Sequence, residues 1–92
     1  MSTVKTGVVE ASSEVTLFLK DPEIIKAYTL QLTGAGTVNV YASLNGTDFA
    51  LVDDALPGGI YTNLTGNGLL AIKLENTGGS AMTYILNGSS HN

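Results

Sequence analysis

Thr37-Val38-Asn39-Val40-Tyr41-Ala42-Ser43-Leu44-Asn45-Gly46-Thr47-Asp48-Phe49-Ala50-Leu51-Val52 is the stretch that decides the fold. Two runs of alternating side-chain character flank Asn45-Gly46, and Asn-Gly supplies the two left-handed residues that a type I′ hairpin turn requires. With those two residues as the loop, Leu44 pairs with Thr47, Ala42 with Phe49 and Val40 with Leu51. One face then collects Val38, Val40, Ala42, Leu44, Phe49 and Leu51 as a core-forming surface, because side chains along a strand alternate between faces. The other face carries Asn39, Tyr41, Ser43, Asp48, Ala50 and Val52.

The same two-residue period runs through the rest of the chain. Val15, Leu17 and Leu19 alternate with polar residues, as do Tyr28, Leu30 and Leu32, and Leu70, Ile72 and Leu74. Turn-forming clusters interrupt these runs at Ala11-Ser12-Ser13, Gly34-Ala35-Gly36, Leu56-Pro57-Gly58-Gly59, Thr65-Gly66-Asn67-Gly68 and Asn76-Thr77-Gly78-Gly79-Ser80. About eight short strands follow, at residues 3–10, 14–20, 25–33, 37–44, 49–54, 59–64, 69–76 and 81–87. The helical signal is confined to Asp21-Pro22-Glu23-Ile24-Ile25-Lys26, with Asp at an N-cap place and Pro at the first helical position, and amounts to about one turn. The expected fold is all-β, a single antiparallel β-sandwich of jelly-roll or immunoglobulin-like type, forming one domain over residues 1–92. Residues 1–10 serve as an N-terminal strand or arm, and residues 88–92 as a frayed tail.

Composition narrows the function classes. The chain has 92 residues, 43% hydrophobic and 13% charged, with eleven Gly and no Cys, and its mean hydropathy is positive. A chain of this size buries roughly 60–65% of its unfolded surface, and so few charges leave much of the exterior neutral or apolar, as a surface covered by another subunit would be. Four Lys, no Arg and eight acids give a net charge of −4, which repels nucleic-acid phosphates and anionic lipid. The expectation is no nucleic-acid and no membrane partner. Without cysteine there is neither a disulfide framework nor a thiolate metal site. The start Met1-Ser2-Thr3-Val4-Lys5 lacks the apolar core of a signal peptide, which predicts synthesis in a cytoplasm without export by the common route.

No residue constellation points to catalysis, and the expectation is a protein that is not an enzyme and uses no cofactor and no metal. His91 lies next to last in a polar tail, without a partner that could make it a general base. Asp53-Asp54 is the one adjacent acid pair, but neighbours on a strand point to opposite faces, so the two cannot face each other across a sugar ring. Asp48, Asp53 and Asp54 could offer oxygens to a hard cation, yet no D-x-D-x-D-G loop is present. Gly34-Ala35-Gly36 and Gly66-Asn67-Gly68 lack the third glycine and following helix of a phosphate loop, and read as turns. Asn45-Gly46-Thr47, Asn63-Leu64-Thr65 and Asn87-Gly88-Ser89 match the glycosylation pattern and read as turn chemistry.

Contact surfaces remain. Val8-Val9 and Ile24-Ile25 break the alternation, either at a bulge or strand edge or at a surface buried by a neighbouring subunit. Tyr28, Tyr84 and Phe49 fall in phase with core residues, while Tyr41 falls on the opposite hairpin face near Ala50 and Val52. Val4, Val8, Val9, Ile24, Tyr41 and Val52 are the interface candidates.

The segment Val38-Asn39-Val40-Tyr41-Ala42-Ser43-Leu44-Asn45-Gly46-Thr47-Asp48-Phe49 resembles a strand–turn–strand motif of discoidin-like carbohydrate-binding sandwiches and of small all-β proteins of tailed bacteriophage virions. Discoidin-like modules are longer, secreted and carry Trp or Arg at ligand loops, which this chain lacks. The whole chain, short, acidic, cysteine-free and rich in Gly, Thr, Asn and Ser, resembles bacteriophage capsid decoration (cement) proteins. That resemblance implies a homo-oligomer, a trimer by preference, on the outer capsid surface of a virion, clamping neighbouring copies of the major capsid protein. One alternative is a carbohydrate-binding module or tail-associated adhesin, with Tyr61, Asn63 and Asn67 holding a glycan. A second is a neck, tail or baseplate component.

Overall fold

The computed structural model describes residues 2–18, 25–65 and 70–90. It contains eight strands, β1 (Ser2–Val9), β2 (Ser13–Phe18), β3 (Ile25–Thr33), β4 (Val38–Ser43), β5 (Ala50–Leu56), β6 (Gly59–Thr65), β7 (Ala71–Asn76) and β8 (Met82–Ser90). They form two four-stranded antiparallel sheets, a first of order β1-β8-β3-β6 and a second of order β2-β7-β4-β5. β1 pairs with β8, β2 with β7, β3 with β6 and β4 with β5, the nested pairing of one long hairpin rolled into a sandwich. With β8 also on β3 and β7 also on β4, the arrangement is a jelly roll.

Alternation builds the core. From the first sheet, Val9, Leu30, Leu32, Met82 and Leu86 point inward; from the second come Leu17, Val38, Val40, Ile72 and Leu74. Most of these are wholly buried, and each large aliphatic side chain so placed contributes about 1.5–3 kcal/mol relative to exposure. Val15, Ala42, Leu56 and Tyr61 pack against the margin. Among the described residues the inward side chains are almost all hydrocarbon.

Four sequence expectations change. The Asn45-Gly46 hairpin is real, but its loop is wider than two residues: Ala42 faces Ala50, Tyr41 faces Leu51 and Val40 faces Asp53. Gly46 alone of the pair has positive φ, at 84°, so no type I′ turn forms. Leu44 is 73% and Leu51 52% exposed, on the solvent side instead of the core. The tail Gly88-Ser89-Ser90 extends β8, paired with β1 on one side and β3 on the other, because a central strand receives ladder bonds from both neighbours regardless of weak local propensity. Residues 2–9 are the edge strand of the first sheet. The helical signal at Asp21-Pro22-Glu23-Ile24 lies outside the described residues.

Candidate functional sites: the two outer sheet faces

The outer face of the second sheet carries charged residues that make contacts within the sheet. Register brings Glu14, Glu75 and Asn39 into one row, and Thr16, Lys73, Tyr41 and Leu51 into the next. The Asn39 amide and the Tyr41 hydroxyl both donate to one oxygen of Glu75, at 3.2 and 3.0 Å. Asn39 also accepts from the Ala55 amide at 2.8 Å, tying down the left-handed Ala55 (φ 54°) on the edge strand. Lys73 Nζ stands 4.8 Å from the Tyr41 ring centroid and 4.9 Å from that of Phe49, a cation held between two π faces. It is also 3.9 Å from a Glu14 carboxylate oxygen, an ion pair worth at most about 1 kcal/mol at such exposure. The carboxylate of Glu75 holds the Tyr41 phenol above its ordinary pKa by accepting its proton in a hydrogen bond, and desolvation and the charges of Glu75, Asp54 and Glu14 add to the rise.

At the end of this sheet the chain between β4 and β5 forms a side-chain-built loop. Asn45 Oδ1 accepts from the Thr47 and Asp48 amides at 2.9 and 2.8 Å, and its Nδ2 donates to Asp48 at 2.8 Å. Ser43, 3% exposed, accepts from the Asn45 and Gly46 amides. Gly46 lies under Leu70 and Phe18, where an added Cβ would sit 3.1 Å from a Leu70 methyl. The loop closes over the sheet, which accounts for an outward-register Ala71 that is wholly buried.

At the other end, Asn76 is 1% exposed and acts as a staple. Its Nδ2 donates to Val9 O at 3.0 Å and Ser80 O at 2.7 Å, and its Oδ1 accepts from the Gly78 amide at 2.9 Å. This joins β1 of the first sheet to the β7–β8 turn on the second. An open groove of about 350 Å³ beside it is lined by Ser12, Ser13, Glu14, Glu75 and Thr77, with Asn76 at its floor. No cluster of His, Cys, Asp and Glu that could hold a metal occurs among the described residues.

The outer face of the first sheet has a different character. Thr6, Ile85, Gln31 and Ile60 form one row across all four strands. Val8, Thr83 and Thr33 form the next, and Asn87 with Thr29 lies on the far side. All but the half-buried Thr29 are exposed, Ile60 to 65%, Val8 to 46% and Ile85 to 36%. None of these nine residues is charged.

The six interface candidates are thus dispersed. Val8 is exposed on the first sheet. Val9, its neighbour, is wholly buried in the core, which removes it from any interface: the Val8-Val9 pair is one outward and one inward residue of a regular strand. Tyr41 is half-buried, within the Glu75 network, and Val52 is 46% exposed on the irregular edge strand β5. The Val4 side chain and Ile24 lie outside the described residues, as do Asn67, His91 and the side chains of Tyr28 and Asn63. Tyr61 donates its hydroxyl to Pro57 O and packs on the core, so its ring is fixed to its own loop. The Glu75 network and the Asn76 staple were not expected from sequence, since both join residues more than thirty positions apart.

No protein-family model and no curated protein matches the chain. Solved structures do share its fold. The Yersinia pseudotuberculosis-derived mitogen is similar with a TM-score of 0.55 and 17% identity, covering 100% of this chain and 87% of that one. A cupin domain from Bordetella pertussis gives 0.54 and 11%, over 95% and 79%. A protein of Bacillus endospore appendages, which form disulfide-linked pili, gives 0.50 and 12%, over 99% and 92%. At these identities the likeness is one of fold.

Proposed function

We propose that the chain is a non-enzymatic structural subunit, and within that class a decoration protein that binds and stabilises neighbouring major capsid subunits on the outside of a phage shell. The observation that carries the structural reading is the division of the described residues into an apolar interior, one outer face whose Glu75 and Lys73 are tied into contacts within the sheet, and one outer face whose nine described outward residues carry no charge. Glu75 and Asn76 are engaged in holding strands together, Glu75 by Asn39 and Tyr41, Asn76 by Val9, Ser80 and Gly78. Exposed neutral surface has a use in contact with protein, where removing it from water adds free energy that is lost when the partners separate. The similar fold in endospore appendages belongs to pili that are disulfide-linked; this chain has no cysteine, so no disulfide joins it to a neighbour. The specific placement on a capsid rests on the resemblance of the whole chain to decoration proteins. Purified virions carrying the chain, stripped of it and then resupplied, test the reading. Stripped shells should open at lower temperature, with re-addition restoring the original midpoint; shells indifferent to stripping would refute it.

A further inference from the structure

We propose that two copies of the chain pack through the outer faces of their first sheets, in a twofold dimer centred near Ile85. The inference rests on the structural-subunit reading and names one surface that serves it. The chain holds four Lys and eight acids, yet none of the nine described outward residues of that face is charged. At the 13% charge of the whole chain about one of nine such residues would be charged. Three β-branched aliphatics, Val8, Ile60 and Ile85, stand exposed among threonines, and Val8 lies diagonal to Ile85 across the β1–β8 pair. Two copies each bearing a net charge of −4 repel over about 8–10 Å in physiological salt. A face without acids among its described residues is where they approach with least opposition.

The area fits a reversible dimer. Four strands about 4.8 Å apart and about eight residues long, at about 3.3 Å each, make a face of about 500 Å². Two such faces, buried in full, amount to about 1,000 Å², the size of a weak, reversible association. A single face that meets its own copy closes a dimer, whereas a threefold ring needs two different patches meeting head to tail. The pair is an alternative to the trimer implied by the decoration-protein resemblance. Stacked sheets lie about 10 Å apart with strands about 30° off parallel, a separation that Ile, Val and Thr side chains fill.

Sedimentation equilibrium of the full chain, from micromolar to hundred-micromolar loading, is the test. The expected mass is twice the 9.5 kDa of the chain. Ile85→Glu should weaken association at least tenfold while circular dichroism and the unfolding midpoint stay near those of the parent. Gln31→Lys, in the same row, should weaken it as well, and serves if the first variant does not fold. Leu51→Glu, on the opposite sheet, should leave the dimer intact. A monomer throughout, a trimer, or a dimer broken by Leu51→Glu and not by the first-sheet variants would overturn the proposal. Monomers that still stabilise shells would sink the dimer and keep the structural reading; dimers without effect on any shell would do the reverse.

Discussion

The Tyr84 ring lies flat over Gly7. The two residues face each other across the β1–β8 pair, and a Cβ on Gly7 would stand 2.6 Å from the Tyr84 hydroxyl oxygen and 2.9 Å from two ring carbons. Glycine leaves room on the edge strand for an aromatic ring that closes the rim of the core, since Tyr84 is only 8% exposed. Gly7→Ala should therefore destabilise the protein by about 1–3 kcal/mol, the usual cost of overfilling a packed site. Removing the nearest atom with Tyr84→Phe should recover part of the loss. Urea unfolding of the two single variants and the double variant measures both effects.

Asn76 is the second structural keystone. Asn76→Ala leaves the Val9 and Ser80 carbonyls without their donor and should cost about 2–4 kcal/mol, as buried groups deprived of partners do. The exposed neighbour Thr77→Ala should stay within about 0.5 kcal/mol. Thermal unfolding followed by circular dichroism compares the two.

The loop around Asn45 makes a chemical prediction. Deamidation of Asn-Gly begins when the following amide nitrogen attacks the side-chain carbonyl carbon and ammonia leaves. Here the Gly46 amide donates to Ser43 Oγ at 2.8 Å, and Asn45 Oδ1 is held by the Thr47 and Asp48 amides. Asn45 should deamidate several-fold more slowly in the folded chain than in urea, and Ser43→Ala should speed the folded reaction. Intact-mass spectrometry over weeks of storage follows the change.

How legible these features were in the sequence depends on their range. All eight strands show in the period of two and the Gly-, Asn- and Pro-rich breaks, because both signals come from residues within a few positions of one another. The hairpin register did not show. Asn45-Gly46 was read by its backbone preference, whereas the side chains of Ser43 and Asn45 hold a six-residue loop that packs under Phe18 and Leu70. β5 departs from its alternation through two register shifts and the left-handed Ala55, devices that blunt an edge strand and leave no periodic mark. The row of uncharged described residues on the first sheet needed the sheet order β1-β8-β3-β6 before its members could be seen as neighbours. The Lys73 and Glu75 network needed β7 placed between β2 and β4.

Tyr41 gives a pH dependence. Its phenol is raised above the ordinary 10.0 chiefly because Glu75 accepts its hydrogen bond. A group whose pKa is higher in the folded chain contributes its full stabilisation below the unfolded value and loses it as pH rises through the folded one. Stability should thus fall above about pH 10, and less so in Tyr41→Phe. Ultraviolet titration should show one tyrosine ionising after its ordinary range, and Glu75→Gln should bring it back.

The central claim is that the face of the first sheet whose described outward residues carry no charge is the surface the molecule uses. An electron-microscopy map of the native assembled particle tests it most directly. The account predicts protein density from a second copy over Thr6, Val8, Gln31, Ile60 and Ile85, with the space between the sheets closed. A bare first-sheet face, with density for a small molecule between the sheets, would contradict it.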